Sequence, residues 1–400
     1  MNAVNLSKES LYFLQDQFRS YYTKNILSVP DRFSRREYAF VFFGGRGMLR
    51  HLAFHRKQYL QEFLQKKAPM HAYYSTAYYQ HPDAPRMTEK EWMGAELIFD
   101  LDADHLPNAE KIPYEKQLEL VKIEFIKLVD DFLMNDFGFP EESMDLYFSG
   151  GRGYHCHVKH PSIYQLSSGD RREIVDYITG RDLNESLVFH EESTGVAQIK
   201  GKTVSTGKRL KMPKPDEPGW RGRISQGLID ILNDILESDD PLLKLKQYGV
   251  SDYTAQKLLE DLSSSRIERI KQGNLDQSKT IRRFFLNNAL RKKAVSFAAG
   301  ETDEPVTCDV KRLIRLPGSL HGKTGFKVSR VTLDTLDEYD PLTEAIVFDD
   351  SPISVLMEGD ATVTLNHQTF TVSEGLNEVP LFLAMFLIGK KMANIATKQH

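Results

Sequence analysis

The sequence predicts a mixed α/β (α+β) fold in which sheet elements flank a block of helices. Three observations carry that expectation. Short apolar, strand-like runs recur toward both ends of the chain, and long segments between them repeat apolar residues at three- and four-residue steps. Residues 224 to 300 differ from both, reading as successive helical patterns separated by polar breaks.

Taken in order, residues 8 to 27 form an amphipathic helix, with Leu11, Phe13, Leu14, Phe18 and Tyr21 or Tyr22 on one stripe. Tyr38 to Phe43 (YAFVFF) and Glu96 to Phe99 (ELIF) are short strands. Residues 117 to 136 make a long amphipathic helix stopped before Gly138 and Pro140, and Met144 to Phe148 (MDLYF) is the next strand. Within 224 to 300 lie ISQGLIDILNDIL, DYTAQKLLEDL, SRIERIKQG and TIRRFFLNNALRKKAV, a helical insertion. Strand-like ISVLM, ATVTLN and QTFTV then return before a final helix at 380 to 395. The chain is thus expected to hold a discontinuous sheet-bearing domain, 1–223 with 301–400, interrupted by a helical subdomain at 224–300. The pattern does not set the strand order.

With 400 residues, 40% hydrophobic and 27% charged, the chain falls among soluble globular proteins rather than disordered or membrane ones. Its longest apolar run, Val379 to Gly389, is shorter than the ~20 residues a spanning helix needs. No membrane association is expected, and an N-terminus without a basic patch, apolar run and cleavage site points to the cytoplasm. Two cysteines, Cys156 and Cys308, exclude a disulfide framework and a four-cysteine zinc site, and give too few ligands for an iron–sulfur cluster. Metal chemistry would have to use oxygen ligands. A net charge of −4 gives no whole-chain signal for nucleic acid. Locally the picture changes: residues 201 to 223 hold seven Lys/Arg against two acids, 266 to 293 nine against two, and 311 to 330 six against none. The acidic stretch 334 to 350 masks these clusters in the total.

The first chemical motif is Phe99-Asp100-Leu101-Asp102-Ala103-Asp104, an apolar strand running into alternating acids. Residues two apart on a strand share a face, so Asp100 and Asp102 project together. Paired carboxylates repel unless a cation sits between them, and this spacing suits a two-metal site for phosphoryl or nucleotidyl transfer. The same spacing occurs in nucleotide-sugar transferases and haloacid-dehalogenase-like phosphatases. The second motif runs from Tyr147 to Val158 (YFSGGRGYHCHV), where glycines let backbone amides approach a polyanion while Arg152 and His155 add charge and hydrogen bonds. Cys156 and His157 lack further ligands at finger-like spacing, so Cys156 reads as a small core residue. The third joins Asp303-Glu304-Pro305-Val306-Thr307 to RLIRLPGSLHGKTG, a basic strand and Gly/Pro turn carrying Arg315, His321 and Lys323.

In this order along one chain, the three motifs closely resemble the catalytic small subunit of the archaeal and eukaryotic-type DNA primase, archaeal members fitting best. Arg36-Glu37-Tyr38-Ala39-Phe40, Met48-Leu49-Arg50-His51, Tyr74-Ser75-Thr76-Ala77-Tyr78-Tyr79 and Trp92-Met93-Gly94-Ala95-Glu96 match the family's N-terminal signatures, so the resemblance covers most of the chain. It implies a primase catalytic domain, with Asp100, Asp102 and Asp303 as catalytic and metal-binding aspartates. Asp309 is the rival for the third position, and the family's spacing to the motif histidine selects Asp303. The resemblance further implies nucleotide binding by Ser149, Arg152, His155, Arg315, His321 and Lys323, with Glu37 and Arg50 as weaker carry-overs.

The implied activity is template-directed synthesis of short RNA or DNA primers from nucleoside triphosphates, NTPs or dNTPs, on single-stranded DNA during replication. The implied cofactors are two Mg²⁺ or Mn²⁺ ions, and the implied partner is the primase large subunit. One departure stands out. Residues 105 to 145 hold no cysteine and one histidine, His105, where many members carry a zinc module, so a shortened loop without structural zinc is expected. A phosphatase reading fails because Asp104 stands where that family wants Thr or Val. A scaffold without activity would not keep three aspartates together with both phosphate-binding segments.

Overall fold

A computed structural model describes residues 5–103, 109–184, 188–275, 279–294 and 306–396, and in it the chain divides into two units. One joins Met1–Glu173 to Phe297–His400, and the other is Ile174–Ser296. The first begins with strands β1 (Tyr38–Val41), β2 (Met48–Leu52), β3 (His71–Ser75), β4 (Ala77–Tyr79), β5 (Trp92–Ala95), β6 (Leu97–Asp102), β7 (Met144–Phe148) and β8 (Gly153–Val158). The second contains β9 (His190–Ile199), β10 (Lys202–Lys211) and β11 (Asn274–Leu275). The chain then returns to the first with β12 (Leu313–Arg315), β13 (Ser329–Val331), β14 (Pro352–Met357), β15 (Ala361–Leu365), β16 (Gln368–Val372), β17 (Gly375–Pro380) and β18 (Ala393–Ile395).

Two antiparallel four-stranded sheets position the site, ordered β12-β3-β1-β2 and β13-β7-β8-β6. Each takes an outer strand from the returning segment, and this pairing ties residues beyond 297 to those before 173. In the second sheet the register sets Asp100 opposite His155, and His155 opposite Tyr147. Alternation puts Phe99, Leu101, Leu146, Phe148, Tyr154 and Cys156 on the reverse face, where all are buried. That face meets the helix Tyr114–Lys127, whose Phe125 ring stacks on Tyr154 at 5.3 Å. Each such side chain contributes about 1.5–3 kcal/mol through burial, so one face of the sheet anchors the core and leaves the other free for polar residues.

The first helix runs Lys8–Lys24, with Ser7 Oγ accepting from the Ser10 amide at 3.0 Å and Leu14, Phe18, Tyr21 and Tyr22 buried. It stops three residues short of the sequence expectation because Asn25 is extended. The helix expected over 117 to 136 begins at Tyr114 and widens into a π-helix at Leu128–Asp136, which turns Leu128, Val129, Phe132 and Leu133 inward together. The final helix is shorter than expected. Leu381–Gly389 is buried along its whole length, Lys391 then takes a left-handed φ of 60°, and Ala393–Ile395 pairs with β14 as a strand.

In the second unit, helices Gly219–Leu236 and Lys279–Lys293 approach closely: a Cβ on Gly227 would stand 3.1 Å from that of Ala289. Phe284 and Phe285 are buried, which makes that pair core rather than a base-stacking platform. This unit begins at Ile174, some fifty residues before the expected 224–300 insertion. The difference is the β9–β10 hairpin, a polar, charge-rich pair of strands reversing at Lys200 and Gly201, both left-handed. Within the basic run 266 to 293, Arg266, Lys292 and Lys293 pair with Asp261, Asp234 and Asp230, so part of that charge belongs to ordinary helix faces.

Candidate functional site

Asp100 and Asp102 line a cavity of about 230 Å³ in the first unit, together with Ser149, Gly151, His155, Arg315 and His321. Residues from all three sequence motifs therefore meet around one space. A larger cavity of about 770 Å³ lies elsewhere on this unit, and its acids Asp31 and Asp145 are both committed to Lys159, at 2.9 Å and with a second close contact. Neither Asp100 nor Asp102 lines it.

The His155 ring lies with Nε2 3.2 Å from Asp100 Oδ1. Burial pushes the Asp100 carboxyl upward, but His155, Arg312 and Arg315 outweigh it and hold the group below its usual range, ionised at neutral pH. Arg152 approaches Asp102 at 3.6 Å, each side chain about one-third exposed. The two acids thus share a face, with His155 within hydrogen-bond distance of Asp100 and Arg152, Arg312 and Arg315 adding positive charge around them.

Ser149 shapes the glycine turn between β7 and β8. Its Oγ accepts from the amides of Gly151 and Gly153 at 3.2 and 3.3 Å, which leaves the hydroxyl hydrogen for a further acceptor. Gly150 has φ +74°, and a Cβ there would come within 2.9 Å of the His321 Cβ. At Gly153 a Cβ would stand 2.0 Å from the Leu101 carbonyl oxygen, so any side chain would push β6 and β8 apart. The turn is thereby pressed against both the acid strand and the His321 segment.

Thr324 fastens that segment to the turn. Its Oγ1 donates to the Gly150 carbonyl at 2.6 Å, accepts from the Phe326 amide at 3.2 Å, and lies 3.2 Å from His321 Nδ1. Burial first, then Arg315, His71, Lys390 and Lys323, push the His321 ring well below its usual pKa, so it is neutral. Lys323 is exposed beside it. Arg315, on β12, sits over the Tyr73 ring at 5.0 Å and places Nη1 2.8 Å from His71 Nδ1.

Several residues around the site carry no motif. His71 and Tyr73 come from β3, which pairs with β12. Tyr114 donates from its hydroxyl to the Gly151 carbonyl, and Lys390 lies 4.4 Å from the centre of the Tyr114 ring. Pairing and packing of distant segments bring these residues in, and no local spacing marks them.

Of the proposed third acids, Asp303 lies outside the described residues, as do Asp104 and His105. Asp309 is described and does not line the cavity; its carboxylate accepts from the Lys311 amide at 2.8 Å. Glu37 and Arg50 pair with one another at 3.0 Å, and Lys90 approaches Glu37 at 3.5 Å, in a separate cluster where Glu37 and Lys90 are buried and Arg50 is exposed. Cys156 is buried and free, and His157 packs beside Glu96 and Tyr74.

Comparison with known proteins bears on the same residues. Residues 99–332, which span the acids, the glycine turn and the Arg315–Lys323 segment, match the family model described as DNA primase small subunit. The chain is similar to the DNA primase small subunit PriS of Methanocella arvoryzae, at 38% identity over 97% of this chain and 99% of that protein. It is likewise similar to PriS of Methanothrix thermoacetophila, at 40% identity over 97% and 99%, and to PriS of Picrophilus torridus, at 39% over 96% and 97%.

Proposed function

The chain belongs to the DNA primase small-subunit family, and from that premise we propose that its 230 Å³ cavity is the nucleotidyl-transfer site of this catalytic subunit. As a primase catalytic subunit it is a primer-synthesising nucleotidyltransferase of DNA replication. The observation that carries the site reading is the meeting of two ionisable acids on one strand face with a glycine turn and a basic segment around one space.

The donor set fits Mg²⁺ or Mn²⁺. Asp100 and Asp102 are hard oxygen ligands, Asp100 is held ionised, and the Asp102 side chain keeps about one-third of its surface exposed. Asp100, Asp102 and, by family resemblance, Asp303 would hold two such ions. Bound there, they supply a lowered pKa for the attacking 3′-hydroxyl and charge stabilisation for the pyrophosphate leaving group. His155 fixes the direction of the Asp100 carboxylate. Arg152 and Arg315 offset triphosphate charge, and the 149–153 turn presents its backbone and the Ser149 hydroxyl to phosphate oxygens. Lys323 adds charge at the rim. We assign single-stranded DNA as template, NTPs or dNTPs as substrates, a large subunit as partner and the cytoplasm as location.

Primer synthesis on a single-stranded template with labelled ATP or dATP and Mg²⁺ or Mn²⁺ tests the site. Wild-type protein, with the large subunit added if initiation needs it, should give metal-dependent product, and Asp100→Ala/Asp102→Ala should give none. Product from the double variant would place the chemistry elsewhere.

A further inference from the structure

We propose that His71 is a positioning residue for the triphosphate site, serving as a neutral hydrogen-bond acceptor that aims Arg315 and fastens the Gly322 backbone without cancelling the arginine's charge. The proposal rests on the reading of Arg315 as a triphosphate contact.

Two donors converge on one ring nitrogen. Arg315 Nη1 lies 2.8 Å from His71 Nδ1, and the Gly322 amide lies 3.2 Å from the same atom. A guanidinium has no acceptor and a backbone amide donates only its hydrogen, so Nδ1 must present its lone pair to both. The proton of the neutral ring therefore resides on Nε2. His71 is 7% exposed, and its pKa is pushed down to about 3, first by burial and then by Arg315 and Lys323, so the ring stays neutral wherever the enzyme works.

A buried arginine is ordinarily aimed by a carboxylate, which neutralises it. Arg36 in this chain shows that arrangement, paired with fully buried Glu96. Arg315 has no such partner among the described residues; the acids that act on it are Asp100 and Asp102, across the cavity. Where divalent ions occupy those acids, an imidazole-held guanidinium keeps its full charge for an incoming triphosphate. One nitrogen also joins β12 to the Gly322 turn, so the arginine and the His321–Lys323 segment hold one relative position. The ring of His71 lies 5.0 Å from that of His321, which completes the contact.

The test is steady-state nucleotide incorporation by the full chain with Mg²⁺, read as KM for nucleotide against kcat. His71→Ala should raise KM about tenfold with kcat within about twofold, the pattern of lost binding rather than lost chemistry. His71→Asn, whose Oδ1 stands close to the place of Nδ1, should recover most of that loss. Combining His71→Ala with Arg315→Ala should be no worse than Arg315→Ala alone, since the two act as one unit. An unchanged KM in Arg315→Ala would remove the triphosphate reading itself. A raised KM in Arg315→Ala with unchanged KM in His71→Ala, or full additivity of the two, would overturn the positioning role alone. If His71→Ala fails to fold, ¹⁵N-histidine spectra of the wild-type protein decide: an unprotonated Nδ1 and protonated Nε2 at neutral pH are expected, and a protonated Nδ1 overturns the proposal.

Discussion

Two acid–histidine pairs sit a few residues apart on neighbouring strands, and they are built for opposite ends. Glu96, just before β6, meets His157 at 3.3 Å, the Tyr78 hydroxyl at 2.9 Å and Arg36, all fully or almost fully buried. Arg36 in turn donates to the carbonyls of Ser75 and Asp31 at 2.7 and 2.8 Å, so its charge and most of its hydrogens are satisfied. Asp100 meets His155 at 3.2 Å but keeps 22% of its side chain exposed and faces a cavity. His155 Nδ1 is buried with no hydrogen-bond partner. The nearby Arg315 rests on a neutral ring rather than on an acid. The closed set fixes the chain and the open set keeps unspent charge; what separates them is whether each charge is matched within hydrogen-bond reach.

That difference predicts opposite losses from equally small changes. Asp102→Asn should lower nucleotide incorporation by about 10²–10³-fold or more while the urea midpoint stays where it is, since a partly exposed carboxylate contributes little to folding. Glu96→Gln leaves Arg36 buried and uncompensated, and should cost about 3–5 kcal/mol of stability with activity following only the folded fraction. Chemical denaturation alongside incorporation at saturating nucleotide reads both. Full activity in Asp102→Asn, or unchanged stability in Glu96→Gln, would erase the contrast.

Acid titration sharpens it. Burial alone would raise Glu96, yet Arg36 and His157 hold it well below the usual carboxylate range, so its stabilising effect is complete above the unfolded pKa of about 4.3 and is lost as pH falls below it. His71 has a folded pKa of about 3. An unfolded histidine takes up its proton near 6.5, so the folded state loses ground from about pH 6.5 downward, by roughly 3 kcal/mol at pH 4. Stability should decline in two stages, and His71→Asn should shrink the first, which the lowered His321 and His157 share, while leaving the second. A single decline beginning below pH 4.5 in wild type would show that the His71 ring protonates freely in the fold.

What could be read from the sequence was what neighbours in sequence decide. Asp100 and Asp102 share a face because a strand alternates, and Ser149 to His155 meet the same face because a tight turn returns the chain beside it. Arg315 and His321 lie within one turn-bearing segment. His71, Tyr114 and Lys390 were not legible, because β12–β3 pairing, a helix start and the end of a buried helix bring them in from remote positions. The β9–β10 hairpin escaped for a different reason: its strands are rich in Lys, Glu, Ser and Thr, and hydrophobic alternation is the signal that marks a strand. The apolar run at 381–389 announced a helix, but nothing in it showed that the chain would turn at Lys391 and finish as a strand.

His321 provides the smallest effect and the finest distinction. The Thr324 hydroxyl has one hydrogen, and at 2.6 Å it goes to the Gly150 carbonyl. Thr324 Oγ1 can then only accept from His321, so Nδ1 carries the ring proton and Nε2 is left with a lone pair, 3.2 Å from where a Cβ would stand on Gly151. A lone pair repels phosphate oxygen. For His321 to offset triphosphate charge, the ring must take up a proton as nucleotide binds, since the anion favours the imidazolium that burial, and then Arg315 and its neighbours, disfavour in its absence. Calorimetric titration of nucleotide in two buffers of different ionisation enthalpy should therefore show proton uptake by wild type that His321→Ala lacks, with KM in that variant raised about tenfold, the worth of one charge-assisted hydrogen bond. Equal proton uptake in both proteins would mean that His321 stays neutral throughout and serves to hold Thr324 and the glycine turn in place.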